Sequence, residues 1–192
     1  VRPVVILMVG LPYSGKSTVA KATGLPMVSP DAIRLVYGHR YYAPIEPFVS
    51  GAALLMAHAL IGAGHGRIII DACNNSRKRR AWWIENLGDE VDTAICWVAP
   101  DRTVCLQREA CRLRARQAED SHIRPVIDRM AAEFERPEVA WVIPAEVGSA
   151  RLYVCSRMKW LVFERCLNMG LRWNKKACQD VPSATGGETC NP

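Results

Sequence analysis

No two of the eight cysteines are spaced Cys-x-x-Cys, and the four histidines join no Cys/His set with zinc-ligand spacing, so no zinc site is legible. The cysteines, at 73, 96, 105, 111, 155, 166, 178 and 190, are scattered and read as reduced thiols, several of them buried as small hydrophobes. No apolar run approaches the roughly 20 residues that a membrane span needs. The first residues lack a basic segment followed by a cleavable apolar stretch, so the expectation is a cytoplasmic protein with no membrane partner. An Asn-Lys-x-Asp guanine-reading motif is also missing, since Asn174-Lys175-Lys176-Ala177 lacks the acid, and this disfavours a GTPase. No internal repeat and no clear domain linker interrupts the chain.

What is present suits one globular domain. The 192 residues are 49% hydrophobic and 23% charged, enough for a full core. The net charge of +6, from 25 Lys and Arg against 19 Asp and Glu, is carried mostly by arginine, whose fork matches phosphate oxygens. Strand and helix signals alternate. Strands are expected at Val4–Val9, Met27–Ser29, Arg67–Asp71, Val91–Ala99 and Val139–Ile143. Helices are expected at Ser17–Thr23, from Asp31 as cap through Val36, and at Ala43–Ala63, Arg77–Leu87, Arg102–Gln117 and Arg124–Phe134. Near-continuous apolar strands alternating with helices predict an α/β fold, a parallel sheet with helices on both faces. The expected organisation is a domain over 1–150 with a helical lid at about 102–136. A helical appendage follows over 151–181, with a helix at Arg157–Leu171, and a flexible tail over 182–192.

The strongest signal is an apolar strand running into Gly10-Leu11-Pro12-Tyr13-Ser14-Gly15-Lys16-Ser17-Thr18, the Gly-x-x-x-x-Gly-Lys-Ser pattern of a P-loop. Gly10 and Gly15 permit the turns that aim consecutive N–H groups at a phosphate chain. Lys16 can reach the β- and γ-phosphates, and the Ser17 hydroxyl suits Mg²⁺. Ligands of such sheets sit beyond the strands' carboxyl ends, where Asp31 and Asp71 also fall. In Asp31-Ala-Ile-Arg34 a carboxylate and a guanidinium share one helical face. The carboxylate can serve as general base on an attacking hydroxyl, or the pair can be a helix cap with a solvated arginine. Asp71-Ala-Cys-Asn74 can support Mg²⁺ or substrate, or can simply shape a loop. Arg77 to Arg80 read partly as a solvated helix face. Trp82 and Trp83 can stack on a base or pack in the core. Arg108, Arg112 and Arg116 stack on one face at intervals of four, where like charges repel unless an anion offsets them. They read as a phosphate-binding lid, or as a face paired off by Glu109, Glu119 and Asp120.

From about residue 4 to residue 144 the chain resembles the P-loop kinases like phage polynucleotide 5′-hydroxyl kinase. The resemblance rests on residues 10–18, on Asp31-x-x-Arg34, on Ile69-Ile-Asp-Ala-Cys-Asn-Asn-Ser-Arg-Lys-Arg-Arg80, on Leu106-Gln-Arg-Glu-Ala-Cys-Arg112, and on Val126-Ile-Asp-Arg-Met130 with Phe134 and Pro137. It implies that Lys16 and Ser17 bind ATP phosphates and Mg²⁺. It makes Asp31 the general base, and has Arg34 contact the acceptor-side phosphate with Asp71 in support; Asn74 is expected with them among the substrate-binding residues. Arg112 becomes the lid arginine that stabilises the transition state, assisted by Arg108. The sequence departs from the pattern in Tyr13, where the family commonly has Gly, and in Cys73, where it has Thr. No Asp-x-Asp-x-Thr phosphatase motif is present, and the stretch after Pro144 matches nothing in the family. The expected activity is ATP-dependent phosphoryl transfer to a nucleic-acid hydroxyl, a 5′ end or a hydroxylated base in DNA. Small-molecule kinases acting on a nucleoside, a sugar or a nucleotide sugar remain alternatives, as does a non-catalytic ATP-binding switch.

Overall fold

The sheet is built around the apolar run at residues 4–9. In a computed structural model, which describes residues 2–38, 41–98, 101–115, 123–137, 142–147 and 150–156, that run is strand β1 (Val4–Val9), buried along its whole length. β2 (Met27–Val28), β3 (Arg67–Ile70) and β4 (Asp92–Val98) lie parallel with it. β5 (Val142–Val147) and β6 (Ala150–Ser156) complete the order β2-β3-β1-β4-β6-β5. The wholly parallel sheet expected from the sequence is thus extended by two antiparallel strands, β6 pairing β4 and β5 pairing β6. The strand expected at 139–143 is found from Val142 and runs to Val147, residues 139–141 falling outside the described residues, and residues 151–156, expected to start a helical appendage, belong to this sheet. The expected helix at 157–171 and tail at 182–192 fall outside the described residues.

Alternation along β1 sends side chains to two faces. Val4, Ile6 and Met8 pack with Val19 and Ala20 of α1 (Lys16–Ala22). Val5 and Leu7 pack on the other side against Ala53 and Ala57 of α3 (Glu46–Gly62), and against Trp83 and Leu87 of α4 (Arg77–Leu87). α2 (Pro30–Val36) follows β2. The result is the three-layer α/β P-loop NTPase fold. Trp82 and Trp83, in edge-to-face contact at 5.0 Å, both join the second core cluster, which decides for packing over base stacking.

Two helix starts differ from expectation. Ser29, not Asp31, caps α2: its hydroxyl accepts from the Ala32 N–H at 3.4 Å, and Pro30 takes the first helical position, where its missing N–H costs nothing. The helix expected from Ala43 begins as a 3₁₀ turn, Ala43–Ile45, before α3. The span Ala43–Gly62 is long and apolar enough to cross a membrane, with mean hydropathy 1.5, so one such run exists where none was expected. Val49, Ala53 and Ala57 of α3 are buried within the domain.

Past β4, α5 (Arg102–Ala115) and α6 (Arg124–Ala132) form a helical pair over the P-loop. Cys105 and Ile127 bury Leu11 between them. Arg102 and Asp128 pin the pair together at 2.6–2.8 Å. Beyond α6, the Glu135 N–H donates to the Asn75 carbonyl at 2.9 Å, and the Glu135 carboxylate accepts from the Arg77 N–H at the start of α4.

Candidate active site

The P-loop is held open by its own backbone. At Gly10 (φ +148°) a Cβ would stand 2.4 Å from the Val98 carbonyl oxygen and 2.9 Å from Ser14 Oγ, so only glycine fits. Its N–H donates to the Cys73 carbonyl at 3.0 Å, tying the end of β1 to the loop after β3. Gly15 (φ +102°) opens α1 with no side-chain cap, which leaves first-turn N–H groups for an anion. Lys16, 7% exposed, reaches back across the loop and donates from Nζ to the Leu11 carbonyl at 2.7 Å and, more weakly, to Ser14 Oγ at 3.4 Å. Ser17 and Thr18 are exposed and line the cleft, whereas Leu11 turns inward beneath α5 and α6.

Tyr13 takes up a left-handed backbone (φ +61°) that a glycine would adopt without strain. Its ring packs on the edge of the Leu11, Cys105 and Ile127 cluster, and the Arg112 guanidinium lies 5.9 Å from the ring centroid, within cation–π range. Arg108 donates from Nη1 to the Ser14 carbonyl at 2.7 Å and the Tyr13 carbonyl at 3.3 Å. α5 therefore presents two arginines to the P-loop, one bonded to its carbonyls and one held over its aromatic ring. Arg116 lies outside the described residues. Of the acids that could pair this face off, Glu109 is 2% exposed and its Oε1 has no hydrogen-bond partner among the described residues, while Glu119 and Asp120 lie outside the described residues.

The cleft, about 730 Å³, is lined by the P-loop from Pro12 to Val19, by Asp31, Arg34, Asp71 and Cys73, by Arg108 and Arg112, and by α6 side chains including Arg129. Arg79 and Tyr41 also line it, and neither was marked from the sequence as part of a site. Asp31 is the exposed acid of the group, its side chain 80% accessible, and it pairs with Arg34 Nη1. Arg34 is buried and clamped on its other edge by Glu46: Nε to Oε1 at 2.6 Å and Nη2 to Oε2 at 2.7 Å, a two-pronged match. The Glu46 hydrogen bonds raise the Arg34 pKa further above its ordinary value, with the Asp31 charge adding to them, against the opposing effect of burial. In return, the Arg34 hydrogen bonds lower the Glu46 carboxyl below its ordinary range. Glu46 went unmarked in the sequence because it stands twelve residues from Arg34, at the head of a different helix.

Asp71 is 6% exposed and reaches the cleft, its N–H donating to the Val28 carbonyl at 2.8 Å. Asn74, expected to bind substrate, is placed away from the lining. It is 1% exposed, its Nδ2 donates to the Met8 carbonyl at 2.9 Å, and its Oδ1 accepts from Trp83 Nε1 at 3.2 Å. Its amide joins β1 to α4 beneath the site. Arg80, expected on a solvated face, is buried and donates to the Asn74 carbonyl at 2.9 Å. Burial raises the Cys105 thiol, against the lowering effect of Lys16 and Arg108.

These residues fit a magnesium–nucleotide complex. The Gly10 and Gly15 cradle accepts no Cβ at its base, Lys16 sits under it, and Ser17 opens to the cleft. Mg²⁺ characteristically takes one or two protein ligands beside phosphate oxygens and water, and Ser17 with Asp71 in support would supply that side.

Residues 5–137 match the model of the AAA domain family. No curated protein sequence matches the chain. Among solved structures, a chain of the Pnkp1/Rnl/Hen1 RNA repair complex aligns with a TM-score of 0.59 at 19% identity, covering 69% of this chain and 44% of that one. A second Pnkp1/Rnl/Hen1 structure aligns with a TM-score of 0.52 at 24% identity, over 56% of this chain and 39% of that one. A protein of Chloroflexus aurantiacus J-10-fl assigned provisionally to the kinases gives 0.58 at 16% identity, over 73% and 84%. This chain thus spans less than half of the repair-complex chains that it resembles.

Proposed function

The chain belongs to the AAA domain family and has the fold of the P-loop kinases, and from that premise we propose that it is an ATP- and Mg²⁺-dependent kinase that phosphorylates a hydroxyl of a nucleic acid, either a 5′-hydroxyl end or a hydroxylated base in DNA. The observation that carries the reading is the meeting of Asp31 with Lys16 and Arg112 around one cleft. A phosphate cradle alone serves hydrolysis, switching or transfer equally; an exposed carboxylate across from it serves an acceptor hydroxyl.

When bound, the magnesium nucleotide supplies the γ-phosphoryl group and much of the charge compensation on its oxygens. Asp31 accepts the proton of the acceptor hydroxyl, its carboxylate oriented by Arg34. Glu46 holds Arg34 at that angle while leaving its cationic face on the cleft. Lys16 and Arg112 offset charge on the transferring group. Arg108 keeps the helix that carries Arg112 fixed to the P-loop carbonyls.

The nucleic-acid acceptor is supported by a cleft lined by Arg34, Arg79, Arg108, Arg112 and Arg129 against two aspartates. A solved RNA repair complex shares the fold. The cleft volume of about 730 Å³ also falls in the range of small-ligand sites, and this favours a small-molecule kinase as the second reading. Incubation with labelled ATP and a panel of 5′-hydroxyl DNA, 5′-hydroxyl RNA, DNA with hydroxymethylated bases, nucleosides and sugars decides. Label on a polynucleotide with rates that fall steeply with salt is the expected result. Label on a nucleoside or sugar alone overturns the acceptor, and ADP release with no labelled product overturns transfer altogether.

A further inference from the structure

Among the described residues up to 137, every large hydrophobic side chain that stands exposed comes from one stretch, residues 35–56. Four are aromatic: Tyr37 and Tyr42, each 49% exposed, Tyr41, 65%, and Phe48, 68%. The other aromatic rings described up to residue 137, at Tyr13, Trp82, Trp83, Trp97 and Phe134, are packed in clusters or against one another. Tyr41 brings this stretch to the acceptor side of the cleft. The rings at 37, 41 and 42 lie in the chain between Arg34, which lines the cleft, and Glu46, and those two residues are joined by paired hydrogen bonds. Tyr41 itself lines the cleft with Asp31 and Arg79.

We propose that Tyr41 is a stacking platform for the unpaired bases that follow the reacting end of a single-stranded acceptor, with Tyr37 and Phe48, exposed in the same stretch of chain, as further faces. The proposal rests on the polynucleotide reading of the cleft and adds the residues that grip the strand beyond the first nucleotide. Exposed rings next to guanidiniums are the combination that single strands use: every base has a face to stack, and the phosphates between bases need cations. Arg79, Arg112 and Arg129 are exposed, line the same cleft and supply that charge. An apolar partner protein would meet those arginines with no compensating charge, whereas a strand would bury rings and neutralise cations together.

The test uses the full chain and 5′-hydroxyl oligonucleotides from dinucleotide to decamer, each carrying 2-aminopurine at its second position. For the wild type, kcat/KM climbs with length over the first few nucleotides. Tyr41→Ala cuts the decamer-to-dinucleotide ratio about tenfold, the loss of roughly one stacked base, and Tyr41→Phe restores it. Without ATP, binding quenches the 2-aminopurine fluorescence with wild type and Tyr41→Phe and not with Tyr41→Ala. Unaltered thermal melting of the exposed-site variants certifies their fold.

End-phosphorylation with the same length ratio in Tyr41→Ala overturns the platform and leaves the kinase reading standing. Tyr41-dependent quenching without phosphate transfer does the reverse. Neither binding nor transfer overturns both. A dimer in light scattering that Tyr41→Ala converts to monomer also overturns the platform, because a second copy then covers this face.

Discussion

On the P-loop side of the cleft the structure is fixed by main-chain groups; on the α2–α3 side it is fixed by side-chain charges. Gly10 N–H, Ser14 N–H and the carbonyls of Leu11, Tyr13 and Ser14 are all engaged within the loop, across to the Cys73 carbonyl, or by Lys16 and Arg108. Across the cleft, Asp31, Arg34 and Glu46 hold one another by carboxylate–guanidinium contacts, and the exposed Tyr41 lines the same cleft. A backbone cradle is indifferent to most substitutions but intolerant at its glycines. A side-chain network can be retuned one residue at a time without disturbing the fold, which is how one donor site can serve many acceptors. If the halves are separable in this way, mutations should sort cleanly into those that affect nucleotide and those that affect acceptor.

The largest effect is expected from Lys16→Ala. It removes a buried cation that bridges to the Leu11 carbonyl and that the proposed mechanism sets against the phosphates, so kcat/KM should fall about 10³-fold, with ATP affinity dropping in calorimetry. Asp31→Ala comes next, a loss of about 10²–10⁴ in turnover from removal of a general base, with ATP affinity kept. Loss of ATP binding in Asp31→Ala would show that the halves are coupled, and wild-type turnover would remove Asp31 as the base.

Glu46→Gln probes the network itself. It takes away the Glu46 charge and one of its two acceptors for Arg34, and should raise the acceptor's KM several-fold while sparing the ATP affinity. The stability cost is about 1.5 kcal/mol, the low end for hydrogen bonds to charged groups because Glu46 keeps some contact with water. Its pH dependence has a definite sign. The Glu46 pKa is lowered in the fold by the Arg34 hydrogen bonds. The stability it contributes is therefore complete above the ordinary value of 4.5 and is lost as pH falls through the depressed one. Denaturant midpoints of wild type and Glu46→Gln should keep a constant gap from neutral pH down to that range and converge below it. A gap that closes near neutrality would assign it to another group.

The two sides were also unequally legible. The P-loop could be read because its geometry is local: a buried strand, two glycines at fixed spacing and a helix start suffice to specify it. Asp31 and Arg34 could be read because one helical turn brings them together. Glu46 could not, since its pairing depends on how α3 docks against α2. Asn74 looked like a site residue because it follows a strand end, yet its backbone (φ +44°) and amide serve the join between β1 and α4. The antiparallel strand β6 gave no separate signal in a stretch that the family resemblance did not reach. The apolar residues of 43–62 predicted a helix correctly but not that Phe48, Leu55 and Met56 would face outward, because periodicity is silent when both faces are apolar.

Tyr13 is where the halves of the comparison meet, a side chain within a loop otherwise governed by backbone, and the effects there should be the smallest. Replacing it by glycine relieves a left-handed backbone worth about 1 kcal/mol and gives up a cation–π contact worth about 0.5–1 kcal/mol, along with some ring packing against Leu11 and Cys105. Those terms oppose each other, so the melting temperature should shift by only a few degrees in either direction. Turnover should be more sensitive than stability, because glycine frees Arg112 from the ring that positions it. A decline of about two- to fivefold in kcat is expected, with Tyr13→Phe close to wild type. An unchanged kcat in Tyr13→Gly would mean that Arg112 finds its place without the ring, and the P-loop would then be governed by its backbone alone.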